Sequence, residues 1–304
     1  MRWRPSGSIQ VEDRRGAGGG GLGGIGMGGL GGGGIPIPVG GGIGGIVITI
    51  IIIVVLNLLG GSSLGGSLGG LGGDDGGGGA AASLDPNDTS GQFVNAVTVD
   101  VQSFWAERFS ASGKSYTQTL TVLFTDQTQS GCGVASSQTG PFYCPADKKV
   151  YLDTAFFDEL SSRFGAPGEF AQAYVIAHEF GHHVQDELGI MDQVAQQQQS
   201  YPSRANDLSI RLELQADCLA GVWAHSVYTT PDQSDIESIT DKDVQDAINA
   251  AAAVGDDRIQ EQATGTIDKE SWTHGSADQR AKWFNTGFKG GTTEGCDTFS
   301  AATP

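Results

Sequence analysis

The placement of glycine limits what this chain can fold into more than any other feature. Of 304 residues, 49 are glycine, and most of them crowd into residues 16–79. Glycine has no side chain to bury and loses the most backbone freedom on ordering, so such a stretch cannot build a packed core. Residues 84–304 remain, enough to bury a core on their own. The expected organisation is therefore one globular domain behind a tether. Residues 1–42 form a Gly-rich N-terminal segment, 43–59 an apolar span, 60–83 a Gly/Ser-rich linker, and 84–304 the folded unit.

The apolar span reads IGGIVITIIIIVVLNLL and carries no charge. As a helix, at about 1.5 Å per residue, it reaches roughly 25 Å, close to a hydrocarbon core of about 30 Å. A strand of that length would be unusual. The segment before it is too long for a cleaved signal peptide, and no small-residue cleavage site follows directly. One transmembrane helix is expected. Arg2, Arg4, Arg14 and Arg15 precede it and Asp74 and Asp75 follow. The positive-inside rule then puts the N-terminus in the cytoplasm and the domain outside, as a single-pass protein of the cell membrane.

A net charge of -18 repels nucleic acid, whose binding depends on Lys and Arg neutralising phosphates. No motif for an organic cofactor appears. The four cysteines form no CxxC pair, which excludes a zinc ribbon. Cys132 and Cys144 bracket a short Gly/Ser/Pro-rich loop suited to a disulfide, and Cys218 with Cys296 could form a second. Buried free thiols are the alternative. Disulfides agree with an extracytoplasmic domain.

Apolar spacing predicts helices over 93–109, 156–164, 169–188, 208–227, 241–254 and 277–288, with strands over 120–124 and 149–152. Pro167-Gly168 opens the third helix, Gly189 ends it, and Thr240 caps the fifth. The fold class is mainly α with a small β-sheet, an α+β domain.

The chemistry is concentrated in AYVIAHEFGHHVQDEL, which contains His178-Glu179-Phe180-Gly181-His182. Residues four apart on a helix share a face, so His178 and His182 can reach one ion. Imidazole nitrogens suit zinc, and a catalytic zinc keeps one position open for water. Glu179, beside the first histidine, is placed to take that water's proton. Gly181 inside the helix implies close approach of another backbone. His183 points away from the ligand face and is read as packing or hydrogen bonding. The third ligand is Glu213 or, as runner-up, His225. Glu213 and Asp217 are four apart in an otherwise apolar helix, where a carboxylate is costly unless paired or bound to metal. Glu213 as ligand with Asp217 as the acceptor behind a ligand histidine accounts for both, the alternative being an exposed polar stripe with Gln215 and Arg211. In SWTHGSADQRAKWF, His274 and Arg280 are donors able to stabilise an oxyanion.

MRWR with a following EDRRG, SGCG, GPFYCPAD, VYLD, HEFGHHVQ, ELQADCLAGVWA and THGSADQR together resemble the YpfJ-like neutral zinc metallopeptidases of bacteria, over nearly the whole chain. The pattern also looks like a remote version of membrane zincins that join HExxH to a later Glu-x-x-x-Asp helix and a His followed six residues on by Arg. The resemblance implies a zincin-like fold, zinc on His178, His182 and Glu213, Asp217 behind them, and His274 and Arg280 as transition-state or structural partners. It also implies an edge strand, 149–152, that pairs with the substrate backbone. Those membrane enzymes usually carry Pro after the late His, whereas Gly275 stands here. The function expected is a membrane-anchored zinc endopeptidase acting on peptides or proteins. Two alternatives stand beside it: a binding or chaperone-like protein with a non-catalytic zinc, and a zinc amidohydrolase acting on cell-wall peptides.

Overall fold

In the computed structural model, residues 1–15, 84–231 and 235–304 are described. Among them are eight α-helices and eight short strands, so the fold is α+β and mostly helical. The central sheet has the order β2-β3-β7-β6, built from Val11–Asp13, Thr121–Phe124, Lys149–Asp153 and Phe142–Cys144. β2, β3 and β7 run parallel, and β6 pairs antiparallel with β7. A hairpin of β4 (Gln127–Ser130) and β5 (Gly133–Ser136) precedes β6. β1 (Arg2–Trp3) pairs with β8 (Ile236–Ser238).

Helix α1 (Thr89–Ala111) packs on β2 and β3, burying Val94, Val97, Val101 and Trp105. After α2 (Ala155–Ser162), Gly168 at φ 127° admits the chain to α3 (Glu169–Glu187), whose interior is almost wholly buried. Gly189 at φ 70° ends that run and starts α4 (Ile190–Ser200). Helix α5 (Ala205–Thr229) crosses α3. A Cβ on Gly181 would stand 3.0 Å from the Ala216 Cα, so the backbone contact implied by that glycine is Ala216. Helix α6 (Asp241–Ala253) begins at a Thr240–Asp243 capping box, α7 spans Asp256–Thr264, and α8 (Ala277–Gly290) begins at a Ser276–Gln279 box. Helices α5 and α8 touch even more closely. A Cβ on Gly287 would meet the Cys218 carbonyl at 1.9 Å, and one on Gly221 the Phe284 carbonyl at 2.1 Å.

Both expected disulfides are formed, Cys132–Cys144 and Cys218–Cys296. The second ties α5 to the C-terminal tail, which Arg211 also grips through the Thr298 and Ala301 carbonyls.

Three expectations need correction. The single-pass placement, with a cytoplasmic N-terminus and an extracytoplasmic domain, is overturned. No helix among the described residues is long and apolar enough to cross a membrane. Residues 1–15 also belong to the folded unit: Val11, Glu12 and Asp13 pair in register with Thr121, Val122 and Leu123. Arg15 bonds Asp13 and Asp88, and Lys149 bonds Glu12. One crossing between residues 15 and 84 would leave β2 and β3 on opposite sides of a bilayer. The apolar span 43–59, with the segments 16–42 and 60–83 that flank it, lies outside the described residues. Second, residues 149–152 are not an edge: β7 is paired on both sides, and the edge strand beside it is β6. Third, α4, α7, the hairpin and β2, β6 and β8 carry too few apolar residues, or are too short, to announce themselves by periodicity.

Candidate metal centre

The α3–α5 crossing at Gly181 brings two imidazoles from one helix against two carboxylates from the other. His178 Nε2 lies 3.1 Å from Glu213 Oε2, and His182 Nε2 lies 3.5 Å from Glu213 Oε1. Ligand atoms of His178, His182 and Glu213 all fall within 4.8 Å of one another, a group that could hold a metal ion. All three residues are buried. His225, the alternative third ligand, is elsewhere: its Nδ1 bonds the Phe288 carbonyl oxygen at 2.7 Å.

Each imidazole is fixed from behind. His178 Nδ1 is 2.8 Å from Asp217 Oδ1, and His182 Nδ1 is 2.9 Å from Gln185 Oε1. Gln185 is held in turn by the Leu212 carbonyl and by Gln215. An acceptor on Nδ1 puts the proton there and turns the Nε2 lone pair toward the shared point. Asp217 is fully buried and accepts three further hydrogen bonds, from Tyr174 Oη at 2.6 Å and from Arg280 Nε and Nη2 at 2.9 Å each. Arg280 Nη1 donates to the Val254 carbonyl at 3.2 Å and Nη2 to Tyr174 Oη at 3.1 Å. Four of its five donors are thus committed behind the ligand face.

This packing sets the ionisation. Burial alone would lower the His178 pKa, but the Asp217 and Glu213 carboxylates lift it to about 10. His182 also rises, burial being outweighed by Glu213. Burial resists the charge on Glu213, yet His182 and His178 hold its carboxyl well below the usual range. Asp217 is likewise depressed against burial, by Arg280 and His178.

A cavity of about 480 Å³ opens beside the cluster and is lined by His178, Glu179, His182, Glu213, His274 and Arg280 among others. Glu179 is buried, burial pushes its pKa up, and no hydrogen bond to its carboxylate is found among the described residues. It is the uncommitted carboxylate of the group. His274 Nδ1 lies 3.1 Å from Asp256 Oδ1, while Asp256 Oδ2 accepts from the backbone N–H groups of Thr273, His274 and Gly275. Among the described residues no hydrogen bond engages His274 Nε2.

His183 faces away from the cluster, as its position on the helix implies. Its Nε2 is 2.7 Å from the Thr117 carbonyl oxygen and its Nδ1 3.1 Å from Tyr143 Oη. Tyr174, Gln185 and Asp256 were not singled out from the sequence. Tyr174 looked like part of an apolar run, and Asp256 reaches the site only through a loop that folds back onto it. The signal for Gln185 was its spacing, three residues after His182 on the same helix.

A family model described as "Putative neutral zinc metallopeptidase" matches residues 1–299. "Uncharacterized protein YpfJ" of Escherichia coli (strain K12) is 45% identical over 219 residues, 71% of this chain and 74% of that protein. "Uncharacterized protein Rv2575" of Mycobacterium tuberculosis (strain ATCC 25618 / H37Rv) is 53% identical over 192 residues, 62% of this chain and 64% of that protein. No solved structure matches significantly. With a match across nearly its full length and the histidine–glutamate cluster inside it, this chain belongs to the family described as "Putative neutral zinc metallopeptidase".

Proposed function

We propose that this protein is a zinc-dependent endopeptidase in which His178, His182 and Glu213 hold the metal and Glu179 is the general base. The observation that carries the reading is the uncommitted, buried Glu179 carboxylate beside a three-ligand cluster whose atoms lie within 4.8 Å of one another. A purely structural site has no use for such a base.

The donor set suits zinc: two imidazoles with Nδ1 satisfied by Asp217 and Gln185, and one ionised carboxylate. Zinc held there supplies a Lewis acid for an attacking water and for the scissile carbonyl. Glu179 takes the proton of that water, and its raised pKa makes it a competent donor to the leaving amine afterwards. His274, oriented by Asp256, donates from Nε2 to the developing oxyanion when both ring nitrogens carry a proton. Arg280 serves as a positioning residue through Asp217, because four of its five donors are used on Asp217, Tyr174 and Val254. The substrate backbone adds to the free side of β6, which borders the cavity through Tyr143.

The test is a full-length Glu179→Gln variant. It should bind zinc with unchanged stoichiometry and lose peptide cleavage by about 10²–10⁴-fold. Turnover near that of the unaltered enzyme would remove Glu179 from the chemistry, and a wild-type chain that takes up no zinc would end the proposal.

A further inference from the structure

Helix α3 runs along the floor of the cavity, and the metal-ligand cluster sits midway along its length. At the N-terminal end, Val175 lies one turn before His178 and lines the cavity. Val254 belongs to the same end, because its carbonyl is held by Arg280, which also bonds Tyr174. Phe156 and Phe164, whose ring centroids are 6.4 Å apart, also line it. At the other end, Leu212 is placed by its carbonyl's bond to Gln185. Met191 and Val194 of α4, the helix that continues from the end of α3, complete that wall, and Val194 is 4% exposed.

Some of the polar side chains along the walls pair with one another. Glu159 and Arg163 form an ion pair at 3.8 Å, and Gln198 Nε2 donates to Ser209 Oγ at 2.8 Å. Asp192 is exposed. The cavity thus offers mainly apolar surface on both sides of the cluster, with Glu159, Arg163 and Asp192 as exposed charges of its lining.

Resting on the peptidase reading above, we propose that the substrate is an extended polypeptide segment with bulky apolar side chains on both sides of the scissile bond. Val175 and Val254 receive one side and Met191, Val194 and Leu212 the other. Such segments are normally buried in folded proteins, so the natural targets are unfolded or partly unfolded chains. Cell-wall peptides, with small and charged side chains, do not fit these walls. Burying one large aliphatic or aromatic side chain favours binding by about 10- to 100-fold over leaving it in water.

The test separates binding from turnover. Zinc-loaded, full-length Glu179→Gln is titrated with fluorescein-labelled ten-residue peptides of Gly, Ser and Thr, carrying Leu or Phe, Ala, or Asp at the two central positions. Anisotropy should show the Leu and Phe peptides binding at least about tenfold tighter than the Ala and Asp peptides. Equal or weaker binding of the Leu and Phe peptides overturns the proposal. Peptides with a single Leu on either side are then compared in Val194→Asp, and in Met191→Ala in case the first variant misfolds. One of the two should weaken and the other hold; an equal change in both, or no change in either, also overturns it. Cleavage of the same peptides by the wild type reads the chemistry separately. Selective binding without cleavage sinks the peptidase reading alone, and cleavage without selective binding sinks this inference alone.

Discussion

His178 Nδ1 and Asp217 Oδ1 stand 2.8 Å apart, and Arg280 grips the same carboxylate through two bonds of 2.9 Å. One buried acid therefore answers to a histidine and an arginine at once, from helices far apart in sequence. Asp217→Asn keeps the shape and removes the charge. Losing one partner of a buried ion pair leaves Arg280 uncompensated, at a cost of about 3–5 kcal/mol. Zinc affinity should drop by about 10- to 100-fold, because His178 loses its anchor. Chelator competition and calorimetric melting measure the two effects, and an unchanged affinity would show that Asp217 does not position the histidine.

Zinc uptake should expel protons. His178 has its pKa raised to about 10 and so carries a proton that a metal must displace, and the His182 pKa is moved in the same direction by Glu213. For the metal-free protein, a raised histidine pKa stabilises the fold fully below about 6.5, and that contribution fades as pH climbs through about 10. Glu213 and Asp217 act in the opposite sense, contributing above their unfolded values and losing that contribution in acid. Titration calorimetry at pH 8 in buffers of different ionisation enthalpy should report release of about one proton or more per zinc. Release near zero would contradict a protonated His178.

The contact between α5 and α8 admits no side chain at Gly221 or Gly287. Gly287→Ala would push a methyl against the Cys218 carbonyl, only 1.9 Å from the added carbon. The helices must separate, which costs about 3 kcal/mol or more and draws Arg280 away from Asp217. Urea unfolding should show a lower midpoint, with zinc affinity falling in parallel. An unshifted midpoint would mean the helices do not meet there.

Deleting residues 1–15 is expected to destabilise the domain. It strips β2 from β3, uncovers a strand edge and removes the buried Val11. The chain lacking residues 1–15 should melt lower and aggregate more readily than the full chain, as light scattering during a thermal ramp would show. Identical melting would mean the N-terminal strands add nothing.

The helices that carry the cluster were legible because their signals are local. In α3 and α5 long apolar runs are interrupted by acids and histidines at four-residue spacing, and Gly181 marked the crossing. What escaped is set by distant partners. β2 reads Val-Glu-Asp, two charges in three residues, and becomes a strand only because Thr121–Leu123 lies alongside. Asp256 looks like an ordinary acid at the start of α7 until the loop bearing His274 closes over it. The sequence also placed the edge strand one position off, since β6 is three residues long and shows no alternation.

The pairing of Trp3 with Ile236 has a bearing on how the molecule is made. A ribosome must have released the chain as far as Ile236 before β1 can find its neighbour, so Arg2 and Trp3 are among the last residues to settle. Pairings across such long separations slow folding, because a large loop must close before any contact rewards it. A nascent chain that ends before Ile236 carries both histidines and still lacks this strand pairing.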